Sequence, residues 1–236
     1  MYNHHFGPVS RVETLKIELK KINRSYRMGE TTIHALRNID LTIKEGEFIS
    51  IMGPSGSGKT TLLNILGVLD KPSSGKILLD GKDISILSEM SRSKIRLKKY
   101  GFIFQQFYLI SSLSAFQNVY LPIKEAMGFG SKGKKKAMDL LEKVGMGDRL
   151  DHLPSQMSGG EQQRVAIARS LANDPPVILA DEPTGELDSE NSKIIMDILK
   201  DLNKDMGRSI VVVTHDPEVA RRTKRSIKMK DGSISK

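Results

Sequence analysis

Apolar and polar positions alternate along the first part of the chain. KIELKKI (16–22) and LRNIDLTI (36–43) alternate apolar and polar residues over most of their length, which predicts strands with one buried face. Glu45-Gly46 marks a turn, and EFISIM (47–52) reads as a further strand. Asp80-Gly81, between KILL and KDI, predicts a hairpin, and Asp231-Gly232 near the C-terminus predicts another. From about residue 84 to about 175 the strand patterns give way to helical ones. In KKKAMDLLEKVG (134–145), Ala137, Leu140, Leu141 and Val144 recur at three- and four-residue spacing. PPVILADEP (175–183) and SIVVVTHDP (209–217) then return to short, continuously apolar, β-branched runs. Such runs suit strands buried on both faces of a parallel sheet. The pattern predicts an α/β core interrupted by a helical insertion.

Composition narrows the picture. The 236 residues are 38% apolar and 28% charged, a globular balance. No apolar run approaches the roughly 18 residues of a membrane-spanning helix. The opening residues, 1–14, lack the apolar stretch of a signal peptide and read as a flexible arm. The absence of cysteine excludes disulfides, thiolate catalysis and Cys-based metal sites, and is compatible with the cytosol. The net charge of +9 gathers in RSKIRLKK (92–99), KGKKK (132–136) and RRTKRSIKMK (221–230). These runs suit solvated helix faces or contact with anionic lipid headgroups. No aromatic residue interleaves with them and tryptophan is absent, so nucleic acid is not an expected partner.

Three stretches carry chemistry. In GPSGSGKTT, Gly53, Gly58, Lys59 and Thr60 fit G-x-x-x-x-G-K-[ST] between a predicted strand and helix. Across Gly53, Pro54, Ser55, Gly56, Ser57 and Gly58, freedom of the backbone lets successive N–H groups turn inward around phosphate oxygens. The helix beginning near Lys59 and Thr61 adds its unpaired amides and dipole. Lys59 reaches the β- and γ-phosphates, and the Thr60 hydroxyl can ligate Mg²⁺. In VILADE, Asp181 sits where a parallel strand delivers ligands, placed for Mg²⁺, and Glu182 beside it can polarise an attacking water. In QMSGGEQQRVAIARSL (156–171), Ser158, Gly159 and Gly160 open a helix whose apolar face is Val165, Ala168 and Leu171. An ordinary N-cap explains the serine, but two adjacent glycines are poor helix formers. A second phosphate-binding helix end explains them better.

Taken in order, GPSGSGKT, FQQF (104–107), MSGGEQQ, ILADEPTGELD and VVVTHD resemble the ATP-binding subunit of an ABC transporter. The lipoprotein-release and macrolide-export subfamily is particularly similar. The resemblance spans roughly residues 15–236. It implies a P-loop NTPase core with a mostly parallel sheet, an antiparallel β subdomain and a helical subdomain inserted over about 84–175. It implies ATP and Mg²⁺ as cofactors. By position, Tyr26 resembles the residue that stacks on adenine, with a plain strand-edge tyrosine as the competing account. Gln105 resembles the glutamine that senses Mg²⁺ and the γ-phosphate, with Gln106 the rival. Asp188 resembles the aspartate that communicates across a dimer and also suits a helix N-cap. His215 resembles the switch histidine at the γ-phosphate. Two departures stand out: Glu161 replaces the usual glutamine after the double glycine, and Glu186 replaces a small residue.

The family's arrangement is a head-to-tail homodimer. Each ATP lies between one copy's phosphate loop and the other's Ser158–Glu161 segment, and a separate membrane permease is driven from the cytoplasmic face of the membrane by peripheral contact. Two other readings stay open: a same-fold ATPase serving a cell-division-type complex, and an ATP-dependent dimerisation switch that scarcely hydrolyses.

Overall fold

The computed structural model describes residues 15–235; the arm expected over 1–14 lies outside the described residues. Strands β1 (Ile17–Met28), β2 (Thr31–Ile43), β4 (Ser74–Leu79) and β5 (Lys82–Asp83) form an antiparallel sheet in the order β2-β1-β4-β5. The second sheet contains β3 (Phe48–Met52), β6 (Tyr100–Ile103), β7 (Val177–Asp181), β8 (Ser209–Thr214), β9 (Arg225–Lys230) and β10 (Ser233–Ser235). Its order is β10-β9-β3-β8-β7-β6, parallel throughout except for the β9/β10 hairpin. Seven α-helices among the described residues cover and extend it. They are α1 (Lys59–Leu66), α2 (Glu89–Lys99), α3 (Ala115–Met127), α4 (Ser131–Lys143), α5 (Gly159–Ser170), α6 (Ser189–Met206) and α7 (Pro217–Arg221).

The two Asp-Gly pairs turn hairpins for the reason the sequence suggests. Asp80 and Gly81, and likewise Asp231 and Gly232, all have positive φ, the backbone state that matches strand twist in a two-residue loop. The alternation in β1 breaks at Lys20-Lys21 because the register with β2 shifts between Leu19 and Ile22. β7 and β8 are buried along their length apart from the half-buried Asp181. Their alternate side chains feed two cores. Leu179, Val211 and Val213 join Ile51, Leu62 and Leu63 beneath the antiparallel sheet. Ile178, Val212 and Ile210 join the helical side. Each such side chain contributes about 1.5–3 kcal/mol by leaving water.

The stretch expected as a helical insertion over 84–175 is organised differently. Tyr100–Ile103 returns to the main sheet as β6, pairing with β7 from Tyr100↔Val177 to Ile103↔Ala180. Four residues with a glycine among them are too short to declare a period. The helices beyond it do not enclose a core of their own. Val119 and Ile123 of α3 and Leu140 and Leu141 of α4 belong to the same cluster as Ile178 and Val212 of the sheet.

Candidate functional site

The loop between β3 and α1 has the form of an anion cradle. Gly58, at the N-cap of α1, has φ +96°, and a Cβ there would collide with the Ala35 carbonyl. α1 begins with no side-chain cap and no acidic residue in its first turn, so its leading amides keep no internal acceptor of that kind. α2, α3, α5, α6 and α7 each start with a Ser or Asp cap. Lys59 arches back over the loop, and its Nζ donates to Gly53 O at 2.8 Å and to Pro54 O at 3.0 Å. Its ammonium is thereby held where phosphate oxygens would enter.

Asp181 ends β7 beside this loop. Its Oδ1 accepts from the Thr60 hydroxyl at 3.3 Å. Burial pushes its carboxyl up from the ordinary range, Glu182's charge adds to that, and the Thr60 hydrogen bond and Lys59 pull the other way. A desolvated carboxylate against a hydroxyl is an oxygen pair that suits a hard divalent cation, and Mg²⁺ needs few protein ligands when phosphates and waters complete its shell. Glu182 follows with φ +45°, an uncommon state for a non-glycine residue, held by its N–H donating to Val213 O at 2.9 Å. The Nδ1 of His215, from the end of β8, lies 2.9 Å from Glu182 Oε1. The carboxylate only accepts, so Nδ1 carries the proton.

One cavity of about 710 Å³ is lined by Pro54, Ser55, Gly56, Gly58, Lys59, Thr60, Thr61, Gln105, Glu182 and His215 together with Ile33, His34 and Ala35 of β2; Asp181 does not line it and reaches it through its hydrogen bond with Thr60. Gln105 lines it and Gln106 does not. The amide Nε2 of Gln105 donates to Glu186 Oε1 at 2.8 Å, so the unusual glutamate has a definite partner. The β2 residues give no sequence signal; they arrive because β2 lies against the cradle. Gly53 and Ser57 shape the loop from beneath, with Ser57 buried.

Other expected site residues lie apart from this cavity. Ser158 caps α5: its Oγ accepts from Glu161 N–H at 3.3 Å and Glu161 Oε2 accepts from Ser158 N–H at 2.8 Å. Glu161 therefore works as the acceptor of a capping box, a part that either a carboxylate or an amide can fill. The Ser158 N–H, above all, holds its carboxyl below the ordinary range. The double glycine is only partly explained by an open amide surface. Gly160 is buried, and a Cβ there would overlap the side chain of Asn191 on α6. Asp188 caps α6, accepting from Asn191 N–H and Nδ2 at 2.8 Å each. Tyr26 is half-buried on β1, and its hydroxyl donates to Asp70 Oδ2 at 2.8 Å. Its cross-strand partner is Ile33 of the cavity wall. Sequence reasoning missed Asn191, and also Gln163, whose Nε2 donates to Pro183 O at 2.6 Å and ties α5 to the segment after Glu182.

A glycine-rich cradle between parallel strand and helix, with an acidic pair at the end of a nearby parallel strand, defines a P-loop nucleotide-binding protein. The ABC transporter family model matches residues 36–185, and the chain belongs to that family. It is 52% identical over 225 residues to the uncharacterized ABC transporter ATP-binding protein MJ0796 of Methanocaldococcus jannaschii, covering 93% of this chain and 95% of that one. Over 92% of its length it is 47% identical to the macrolide export ATP-binding/permease protein MacB of Syntrophobacter fumaroxidans, of which it covers 31%. A solved dimeric structure of a post-hydrolysis state of the MJ0796 cassette bound to ADP and Pi superimposes with a TM-score of 0.86 at 49% identity, covering 93% of this chain and 97% of that chain.

Proposed function

We infer that the chain hydrolyses ATP as the cassette of an ABC transporter, in a head-to-tail homodimer that drives a membrane permease. The observation that carries this reading is the meeting of Lys59, Thr60, Gln105, Glu182 and His215, from separate segments, on a single cavity. Gly53–Thr61 takes the phosphates through backbone amides, the start of α1 and the Lys59 ammonium. Thr60 and Asp181, with Gln105, would hold Mg²⁺, which when bound supplies positive charge against the phosphate oxygens. Glu182 orients a water and accepts its proton, and the imidazole 2.9 Å away keeps that carboxylate in place. Tyr26 takes the adenine. Ser158, Gly159, Gly160 and Glu161, absent from this cavity, complete the partner's site across the dimer, and Asp188 sits at the same interface. An isologous pair of this kind closes on itself.

No helix among the described residues is long and apolar enough to cross a membrane; the membrane-spanning partner follows from the transporter-cassette reading. An open apolar groove of about 620 Å³, walled by Leu97 of α2, Phe102 of β6 and Leu121 and Pro122 of α3, suits that partner's cytoplasmic segments. The likeness to macrolide-export proteins favours outward movement or release of a lipophilic or peptide-like substrate, with the cassette peripheral on the cytoplasmic face. The test is Glu182→Gln with MgATP. Turnover falls by about 100-fold or more, the range for losing a catalytic proton acceptor, and light scattering finds a nucleotide-bound dimer. A monomer that binds ATP, or undiminished phosphate release, overturns the reading.

A further inference from the structure

Tyr26 does not stand alone on β1. Arg24, two residues earlier and so on the same face of the strand, lays its guanidinium over the tyrosine ring, 4.3 Å from the centroid. The same guanidinium donates to Asp70 from Nε at 2.8 Å and from Nη2 at 2.9 Å. Asp70 Oδ2 also takes the tyrosine hydroxyl, and Asp70 Oδ1 accepts from Lys71 N–H at 2.7 Å. A bidentate pair has a fixed geometry, so one carboxylate sets both the plane lying on the ring and the end of the ring's long axis.

Asp70 is itself anchored. Its N–H and that of Leu69 donate to Asn64 O, near the end of α1. Two residues before it, Val68 O accepts from Arg92 at 2.7 Å and from Arg96 at 2.9 Å. α1 starts at the phosphate cradle with Lys59 and runs eight residues, about 12 Å at helical rise, before this loop begins. Helix and loop together set the distance between the phosphate site and the tyrosine.

We propose that Asp70 and Arg24 are positioning residues for the base of the nucleotide: they hold Tyr26 edge-on by its hydroxyl and from one face, and leave the opposite face to stack on a purine. This rests on the reading of Tyr26 as the base contact. Rotation of a free tyrosine would have to be frozen on binding; here the ring is fixed beforehand, and the gain is in affinity rather than in the chemical step.

The experiment compares Asp70→Asn, Arg24→Gln, Tyr26→Phe and Tyr26→Ala by calorimetric titration with MgATP and with magnesium tripolyphosphate, a probe with no base. Steady-state kinetics accompany the titrations. Asp70→Asn and Arg24→Gln weaken ATP binding by about 3- to 10-fold, a part of what one base–aromatic stack is worth. Tripolyphosphate affinity stays unchanged, and KM rises while kcat holds. Tyr26→Phe, which keeps the ring and loses the tether, falls between wild type and Tyr26→Ala. Asp70→Asn adds nothing once Tyr26 is alanine. If Tyr26→Ala loses ATP affinity while Asp70→Asn and Arg24→Gln do not, the positioning role is wrong and the base site stands. If Tyr26→Ala also binds ATP normally, the base-site reading falls and takes the proposal with it. Equal loss of both ligands in Asp70→Asn means a general disturbance and likewise sinks it.

Discussion

Asp181 carries a conflict between stability and use. Its carboxyl is pushed up mainly by burial, so the folded protein prefers the protonated form more than the unfolded chain does. The stability linked to that preference is present below the ordinary carboxylate range and lost as pH rises through the folded value, because ionisation then places charge on a desolvated group. Asp181→Asn keeps an acceptor for Thr60 and removes the charge. Without nucleotide at pH 7 it is expected to stabilise the protein by about 1 kcal/mol, or about 2–4 °C in Tm for a chain of this size. Mg²⁺-dependent ATP affinity falls in the same variant. Scanning calorimetry with and without MgATP checks both; a variant no more stable than wild type, at any pH, refutes the argument. Glu161 has the opposite sign. Its carboxyl is held low, chiefly by Ser158 N–H, so its stabilisation is present above the ordinary carboxylate range and disappears as pH falls through the lower folded value. Glu161→Gln retains an acceptor without charge. It is expected to lower the urea midpoint at pH 7 by the equivalent of about 0.5 kcal/mol, the worth of an acid in a first turn, and the difference from wild type should shrink as pH falls through the folded value of the carboxyl. The sequence offered the N-cap for Ser158 but not Glu161's part in it, because a serine three residues before a glutamate describes a cap and a nucleotide contact equally well.

At the scale of elements, the junction of α5 with α6 decides what the double glycine does. Replacing Gly160 by alanine should raise helix propensity by nearly 1 kcal/mol, but the new methyl would overlap Asn191. Overpacking of a filled junction costs about 1–3 kcal/mol, so the clash outweighs propensity. Gly160→Ala is expected to lower Tm, and Gly160→Ala/Asn191→Ala to recover part of the loss. A destabilised double variant with no recovery means that Asn191 is not the obstacle. The strands were readable where one physical cause acted along several residues: the continuous burial of β7 and β8, and the positive φ demanded at Asp80-Gly81 and Asp231-Gly232. The reading failed where causes were tertiary. β6 is a strand because β7 offers it an edge, not because YGFI has a period. The phosphate loop could be read because its chemistry is contiguous. Asp70, Arg24 and Asn191 could not, because each acts through a residue distant in the chain.

At the scale of the whole molecule, two sets of expected site residues stand apart. The cavity with Lys59, Glu182 and His215 contains none of Ser158, Gly159, Gly160 or Glu161, so a cis site and a trans site make different predictions for mixed subunits. Lys59→Ala removes the ammonium of one half, and Ser158→Arg blocks the other half with a bulky cation while leaving the cradle intact. Alone, each variant forms only defective sites in either geometry. Mixed in equal amounts, half of the head-to-tail dimers are hybrids. Each hybrid has one site that pairs the good Lys59 of one chain with the good Ser158 of the other, and a second site that is doubly defective. If the intact site turns over independently, activity recovers to about a quarter of wild type, the fraction fixed by two-fold symmetry and random pairing. In a background of Glu182→Gln, the hybrids instead retain about one nucleotide per dimer on gel filtration, by the same pairing rule. A cis site gives no recovery in either measurement, because no chain in the mixture carries both halves. Phosphate release and trapped nucleotide, measured across mixing ratios, should both peak at equimolar mixing; a flat line in both would leave each subunit with a site of its own and remove the reason for the dimer.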